Sequence, residues 1–282
     1  MSLRFAIIGN PVTHSLSPVL HSAAFRALDI DATYERFTVT LEGLPQAWEE
    51  QLRPRFEGFN VTLPLKRAVV PLLDRVEDLA ASVGAVNTVI RVEGRMVGTN
   101  TDILGIRESL KPFLHELRRQ PAVVIGAGGT ARSATAALAM DMEPSQLTYL
   151  VRDLTRASAV ASLASSLLAS PVGILQLESP ESHRALANAA VIVQTTPVGM
   201  APDITRTPVP TFRGFHRDQV AFDVIYRPVE TEFMRQAASA GCRVVGGLDL
   251  FLLQGAAAFE RWLGRPMPLG AVRPAVLAAL SS

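Results

Sequence analysis

The sequence predicts an α/β protein of two domains, an N-terminal α/β unit followed by a Rossmann-like parallel-sheet unit that binds a dinucleotide. Three observations predict it. The stretch AVVIGAGGTARSATAALAM, residues 122–140, sets a short β-branched run against a glycine turn and an alanine-rich helix. From there on, apolar runs near 122–126, 147–151, 172–177, 190–195 and 220–225 alternate with helical segments, which is the pattern of a βαβ series and hence of a parallel sheet. At 282 residues the chain has room for two cores.

The glycine turn fits G-x-G-x-x-G/A through Gly126, Gly128 and Ala131. The first position turns the chain tightly, the second lets the backbone approach a pyrophosphate and the third lets helix pack on strand. The N–H groups at the start of the following helix would face that phosphate. The plain structural reading is an ordinary tight turn of an α/β protein. Val123, Val124 and Ile125 before it, and Ala131, Ala134, Ala137 and Leu138 at helical spacing after it, favour the nucleotide reading.

Composition narrows the rest. A hydrophobic share of 48% against 19% charged residues fits a folded globular chain and argues against disorder. A net charge of +1 supplies no basic field for nucleic acid or an anionic membrane. Cys242 is the single cysteine, so neither an internal disulfide nor a cysteine zinc cluster can form, and a reducing cytoplasm is the expected setting. The segment MSLRFAIIGNP lacks the pattern of a signal peptide, and no apolar run reaches the roughly 18 residues that span a bilayer. The five histidines show no zinc spacing, and there is no G-x-S-x-G elbow.

In chain order, RFAIIG reads as a strand closed by Gly9, Asn10 and Pro11. Ser17 is expected to cap a helix with Pro18 in its first position and Val19, Leu20, Ala23, Ala24, Ala27 and Leu28 on its apolar face. Phe37, Val39 and Leu41 alternate as in a half-buried strand, a helix carries Trp48 and Leu52, and GFNVTLP is a strand ending at Pro64. AVNTVIRV and VEGRMVG form a hairpin turning at Glu93-Gly94, and NTDILGIRESL opens a connecting helix. Later helices start at Ser179-Pro180 and stop before Gly241. The tail reads as two helices, the first apolar nearly all round and so buried, back against the first unit. The expected domains are residues 1–101 with 247–282, and 102–246.

Several polar residues stand where chemistry could use them. Ser15 and Ser17 flank a helix start, where two hydroxyls and free N–H groups can hold a carboxylate, or where Ser17 only caps its helix. Thr62 ends a strand, and Lys66 follows the proline turn, placed either to exchange a proton with a substrate oxygen or simply to be solvated. Asn87 lies among β-branched residues where an amide needs partners, in a bulge or on a polyhydroxylated ligand. Asp102 is an ordinary helix N-cap on structural grounds, yet it sits at the expected domain boundary, where small ligands gather. Tyr226 falls at the carboxyl edge of the parallel sheet, and Gln254 is nearly alone among apolar neighbours, where burial without hydrogen bonds is costly.

Taken together, GNPVTHSLSP, NVTLPLK, GAVNT, NTD, GAGGTAR, TTPVGM, DVIYRP and GLDLFLLQGA resemble the shikimate dehydrogenase family, in that family's order and over nearly the whole chain. The wording also resembles the shikimate dehydrogenase region of fungal aromatic-pathway proteins and their quinate-linked relatives. The resemblance implies a substrate domain and a cofactor domain with a cleft between them, and reversible reduction of 3-dehydroshikimate to shikimate with NADPH in chorismate and aromatic amino acid biosynthesis. It implies a catalytic pair, Lys66 and Asp102. Ser15, Ser17 and Tyr226 would take the substrate carboxylate, and Thr62, Asn87, Asp102 and Gln254 the ring hydroxyls. Cofactor contacts would come from Gly126, Ala127, Gly128, Gly129, Thr130, Ala131, Arg152, Asp153, Arg156, Thr196, Pro197 and Gly247. It further implies small-molecule partners only, with no nucleic acid, no membrane and no metal, in a monomer or homodimer.

One departure bears on the cofactor. Where NADP-using members carry Asn-Arg-Thr and a second arginine, this chain has Val151-Arg152-Asp153 and then Arg156. The two arginines can clamp a 2′-phosphate; Asp153 would repel it and accept a hydrogen bond from a free ribose hydroxyl, or merely start a helix. NADP stays the first expectation, with NAD open, and quinate stays open beside shikimate. A ligand sensor without catalysis is the reading from another class; intact Lys66 and Asp102 count against it.

Overall fold

The computed structural model describes residues 2–210 and 214–281. The chain divides into two compact units, Met1–Thr101 with Leu252–Ser282, and Asp102–Phe251.

The first unit holds β1 (Leu3–Gly9), α1 (Ser17–Ala27) and β2 (Ala32–Thr38), then α2 (Leu44–Ala47), which runs through a π turn at Trp48–Leu52 into α3 (Arg53–Arg55). There follow β3 (Gly58–Val61), β4 (Arg75–Val76), α4 (Asp78–Val83), β5 (Thr88–Val92) and β6 (Arg95–Thr99). The sheet order is β2-β1-β3-β5-β6-β4. Strands β1, β2 and β3 are parallel, whereas β5 runs antiparallel to both β3 and β6. The β5–β6 hairpin turns at Glu93 and Gly94, both with positive φ, as the Glu93-Gly94 dipeptide predicts. Trp48, Phe56 and Phe59 fill the core on one side.

Two expectations are corrected here. β2 occupies Ala32–Thr38, so the Phe37, Val39 and Leu41 alternation does not define it; Leu41 is 49% exposed. The reason is register: β2 follows β1 from Leu3 opposite Ala32 to Gly9 opposite Thr38, and β1 supplies no partner beyond Gly9. Ser17 does not cap α1 either. Leu16 is the N-cap residue and Ser17 is already helical.

The second unit begins at Asp102 within α5 (Thr101–Leu110), continues through α6 (Leu114–Leu117) and then alternates regularly. Its elements are β7 (Ala122–Ile125), α7 (Gly129–Asp141), β8 (Leu147–Val151), α8 (Ser158–Leu167), β9 (Val172–Gln176), α9 (Pro180–Asn188), β10 (Val191–Gln194), β11 (Val220–Asp223), α10 (Glu232–Ser239) and β12 (Arg243–Val245). All six strands are parallel, in the order β12-β11-β10-β7-β8-β9. The five predicted strands are present, and β12 is a sixth that the sequence reading passed over. The order of strand addition reverses between β7 and β10, and in sheets of this kind ligands bind outside the carboxyl ends at that point. Ser179 caps α9 by accepting from the Ser182 amide, and Gly241 follows α10 with φ +88°.

The tail forms α11 (Gly247–Leu263) and α12 (Leu269–Ser281), with the unit boundary inside α11. Its second half packs in the first unit, as expected of an apolar helix. Phe259 lies 5.7 Å from Phe25, Trp262 stacks on Phe5 at 4.8 Å, and the Trp262 indole donates to the Val89 carbonyl at 2.9 Å. His21 is enclosed there, against Tyr34 at 4.4 Å and Trp262 at 5.0 Å, and burial pushes its pKa down to about 3. Among the described residues no helix is long and apolar enough to cross a membrane, and no cluster of His, Cys, Asp and Glu could hold a metal ion.

Candidate functional site

In the first unit, the loop after β1 brings two serines together at the start of α1. The Ser15 and Ser17 hydroxyls lie 3.2 Å apart, and the Ser17 amide donates to Ser15 Oγ, also at 3.2 Å. Ser15 thereby satisfies one of the amides that a helix start leaves without an internal partner. From β2, Arg36 donates through Nε and Nη2 to the Ser15 carbonyl, at 3.0 and 2.7 Å.

Thr62 follows β3, its amide on the Ile8 carbonyl at 2.9 Å and its carbonyl receiving the Leu65 amide at 2.8 Å. This turn delivers Lys66, whose own carbonyl accepts the Val86 amide at 2.8 Å. The approach of β1 is close: a Cβ on Gly9 would meet Thr62 Cγ2 at 2.5 Å, so glycine is required there. Lys66 is half-buried.

Asn87 is buried just ahead of β5. Its Oδ1 accepts from the Thr101 amide at 2.7 Å and the Thr88 hydroxyl at 3.0 Å, while Nδ2 donates to Thr101 Oγ1 at 3.1 Å. Asn60 extends the cluster by donating to Thr88 Oγ1 at 3.1 Å and accepting from the Tyr34 hydroxyl at 2.7 Å. The polar core therefore fixes the residue before Asp102. Asp102 itself is buried in the first turn of α5, inside the helix rather than at its N-cap, because Thr101 is already helical. Gln254 lies half-buried on α11.

In the second unit the turn from β7 to α7 has the geometry its glycines predict. Gly126 has φ +111°, and a Cβ there would meet Thr195 Oγ1 at 2.7 Å. Gly128 precedes α7 in extended conformation, and a Cβ on it would meet nothing within 4 Å. That open space over a helix start fits a dinucleotide phosphate. Gly129 opens α7, with Thr130 and the fully buried Ala131 after it and Ala127 before Gly128.

The loop after β10 is tied down by Gln194, a fully buried side chain that donates to the Thr196 and Val198 carbonyls at 2.9 and 3.1 Å and accepts from the Thr196 amide at 2.7 Å. Thr196 is thus held and Pro197 stands exposed beside it. Beyond β11, the Asp223 carboxylate is fully buried, receiving the Ile225 amide at 3.0 Å and the Thr231 hydroxyl at 2.6 Å. Burial pushes its pKa up to about 7, against the two hydrogen bonds that lower it. It spans the loop carrying Tyr226, whose ring stacks on Phe251 at 4.1 Å. Gly247 meets the same loop, where a Cβ would come within 2.4 Å of the Val224 carbonyl oxygen.

Arg152 and Asp153 are exposed after β8. Asp153 starts a short 3-10 turn, Leu154–Arg156, by accepting from the Thr155 amide at 3.0 Å and the Thr155 hydroxyl at 2.6 Å. The carboxylate therefore starts this turn as well as standing exposed after β8. Arg156 ends the turn, and its side chain lies outside the described residues. Arg36, Gln194, Asp223 and Thr101 were not singled out from the sequence. A polar residue closing an apolar strand run, as in VIVQ and VAFD, is the signal that could have found Gln194 and Asp223.

A parallel sheet with an open glycine turn at its switch point, joined to a second α/β unit lined with polar loop ends, defines the class of two-domain, dinucleotide-dependent dehydrogenases. The shikimate dehydrogenase (NADP(+)) of Salinibacter ruber is 41% identical over 276 residues, covering 96% of each chain. This chain belongs to the shikimate dehydrogenase family. A profile of the shikimate dehydrogenase substrate binding domain matches residues 7–89, and one of the shikimate 5'-dehydrogenase C-terminal domain matches residues 247–277. Among solved structures, shikimate 5-dehydrogenase from Thermus thermophilus, in complex with NADP(H) and shikimate, is 36% identical with a TM-score of 0.83, over 98% of this chain and 99% of that one. Quinate dehydrogenase from Corynebacterium glutamicum, in complex with NAD, is 28% identical with a TM-score of 0.84, over 98% and 99%.

Proposed function

We propose that the protein is an NADP-dependent shikimate dehydrogenase that reversibly reduces 3-dehydroshikimate to shikimate in aromatic biosynthesis, in the cytoplasm, as a monomer or homodimer. The observation that carries this reading is the presence of both Lys66 and Asp102 in a chain that shares its family, fold and nearly full length with enzymes of that name. Bound NADPH would supply the hydride to the ring carbonyl carbon.

The remaining chemistry belongs to the chain. As the carbonyl carbon gains the hydride its oxygen becomes an alkoxide, and the Lys66 ammonium gives that oxygen a proton; in the oxidative direction Lys66 takes it back. Asp102 holds the substrate hydroxyl and the lysine in register. Ser15, Ser17 and Tyr226 receive the carboxylate, while Thr62, Asn87, Asp102 and Gln254 orient the ring hydroxyls. Residues 126–131 would hold the cofactor phosphates, Arg152, Asp153 and Arg156 the adenosine end, and Thr196, Pro197 and Gly247 the remainder.

Following reduced nicotinamide by absorbance with shikimate and NADP tests the reading. Turnover is expected, and Lys66→Ala should lower kcat by about a hundredfold or more; unchanged kcat removes Lys66 from the chemistry. A quinate-linked, NAD-using reading draws on the Asp153 carboxylate. Initial rates with both substrates and both cofactors separate the two.

A further inference from the structure

Arg36 lies on β2 opposite Ile7 of β1 and is exposed. Its neighbours on this edge are paired with a carboxylate: Arg4 and Arg55 both face Glu35, at 2.7 and 3.9 Å. Arg36 is not. Among the described residues it makes no salt bridge, and two of its donors converge on a neutral acceptor, the Ser15 carbonyl, at 3.0 and 2.7 Å. A carbonyl fixes a guanidinium without cancelling its charge, and the fork retains further N–H donors. That charge is therefore parked at the residue whose hydroxyl lies 3.2 Å from Ser17 Oγ.

We propose that Arg36 is a specificity-determining residue for the substrate carboxylate: by clamping the Ser15 carbonyl it holds an uncompensated positive charge beside the Ser15 and Ser17 hydroxyls. This deepens the shikimate reading and rests on its assignment of the two serines. The hydroxyls supply hydrogen bonds that a neutral ester would also accept. Arg36 supplies the part of recognition that distinguishes an anion, and because it is exposed, added salt screens it.

The test is the KM for shikimate and for NADP in the unmodified enzyme, Arg36→Gln and Arg36→Lys, each at low and high KCl, with unfolding temperature as the check on folding. Arg36→Gln should raise the shikimate KM about five- to tenfold at low salt, leave the NADP KM and kcat within about twofold, and abolish the rise of shikimate KM with salt, since one pairing lost from binding is of that order. Arg36→Lys should keep the salt dependence, because it keeps the charge, while losing part of the affinity with the fork. An unchanged shikimate KM in Arg36→Gln, or an unchanged salt dependence, overturns the proposal. No turnover of shikimate by the unmodified enzyme overturns the functional reading and this inference together, whereas turnover with an indifferent Arg36→Gln overturns the inference alone.

Discussion

The side chain of Asn87 holds Thr101 at both ends of its amide: Oδ1 receives the Thr101 amide at 2.7 Å and Nδ2 reaches the Thr101 hydroxyl at 3.1 Å. The pair is buried, and it joins the residue ahead of β5 to the first residue of α5. Asp102 comes next in the chain, so the seat of that carboxylate depends on a neutral amide that lies well before it in sequence.

Removing the amide should therefore act on stability and on turnover together. Asn87→Ala leaves the Thr101 amide without its acceptor in a buried place, which costs about 1–3 kcal/mol. Urea unfolding should show a lower midpoint, and kcat with shikimate should fall in the protein that remains folded. A midpoint equal to that of the unmodified protein would show that Thr101 does not depend on Asn87.

Much of this was legible in the sequence, for identifiable reasons. The second unit's strands are buried, β-branched runs between helices with ordinary caps, so β7, β8, β9, β10 and β11 can be read from local pattern. β2 could not be placed that way, because its ends are set by pairing with β1 and not by its own alternation. The site residues were found as separate positions. What escaped was their mutual support: Asn87 with Thr101, Arg36 with Ser15, and Asp223 with Thr231 are pairs made by folding. Ser17 and Asp102 look like caps because their types suit caps; the neighbours that make Leu16 the cap residue and Thr101 helical are contributed by other elements.

The enclosed His21 makes the first unit sensitive to acid. Its folded pKa of about 3 lies below the ordinary 6.5, so the unfolded chain takes up a proton first. The corresponding stability is present above pH 6.5 and is lost as pH falls from 6.5 toward 3, a change on the order of a few kcal/mol. Both tryptophans, Trp48 and Trp262, belong to this unit, so their fluorescence reports on it selectively. His21→Phe keeps an aromatic ring in the stack, and its unfolding midpoint should vary much less over that range; an identical pH profile would clear His21 of the effect.

Cofactor preference offers a separate check on the exposed turn after β8. Asp153→Asn keeps an oxygen to accept from Thr155 and removes the negative charge. With NADP bound as proposed, its KM should fall about three- to fivefold, the scale of one exposed charge at close range, while the NAD KM changes less. If the ratio of the two stays fixed, Asp153 is only the start of its turn.

The first unit is assembled from both ends of the chain, with residues 252–282 completing what residues 1–101 begin. During synthesis the N-terminal strands emerge long before Phe259 and Trp262 exist to cover Phe5, Phe25 and His21. The second unit, continuous in sequence, has its whole parallel sheet available earlier, and domains generally fold as units in order of emergence. Translation thus delivers the nucleotide-binding half ready-made and leaves the other half waiting on residues 252–282. A premature stop just after Phe251 would spare the former while stripping the latter of the aromatic residues that cover it.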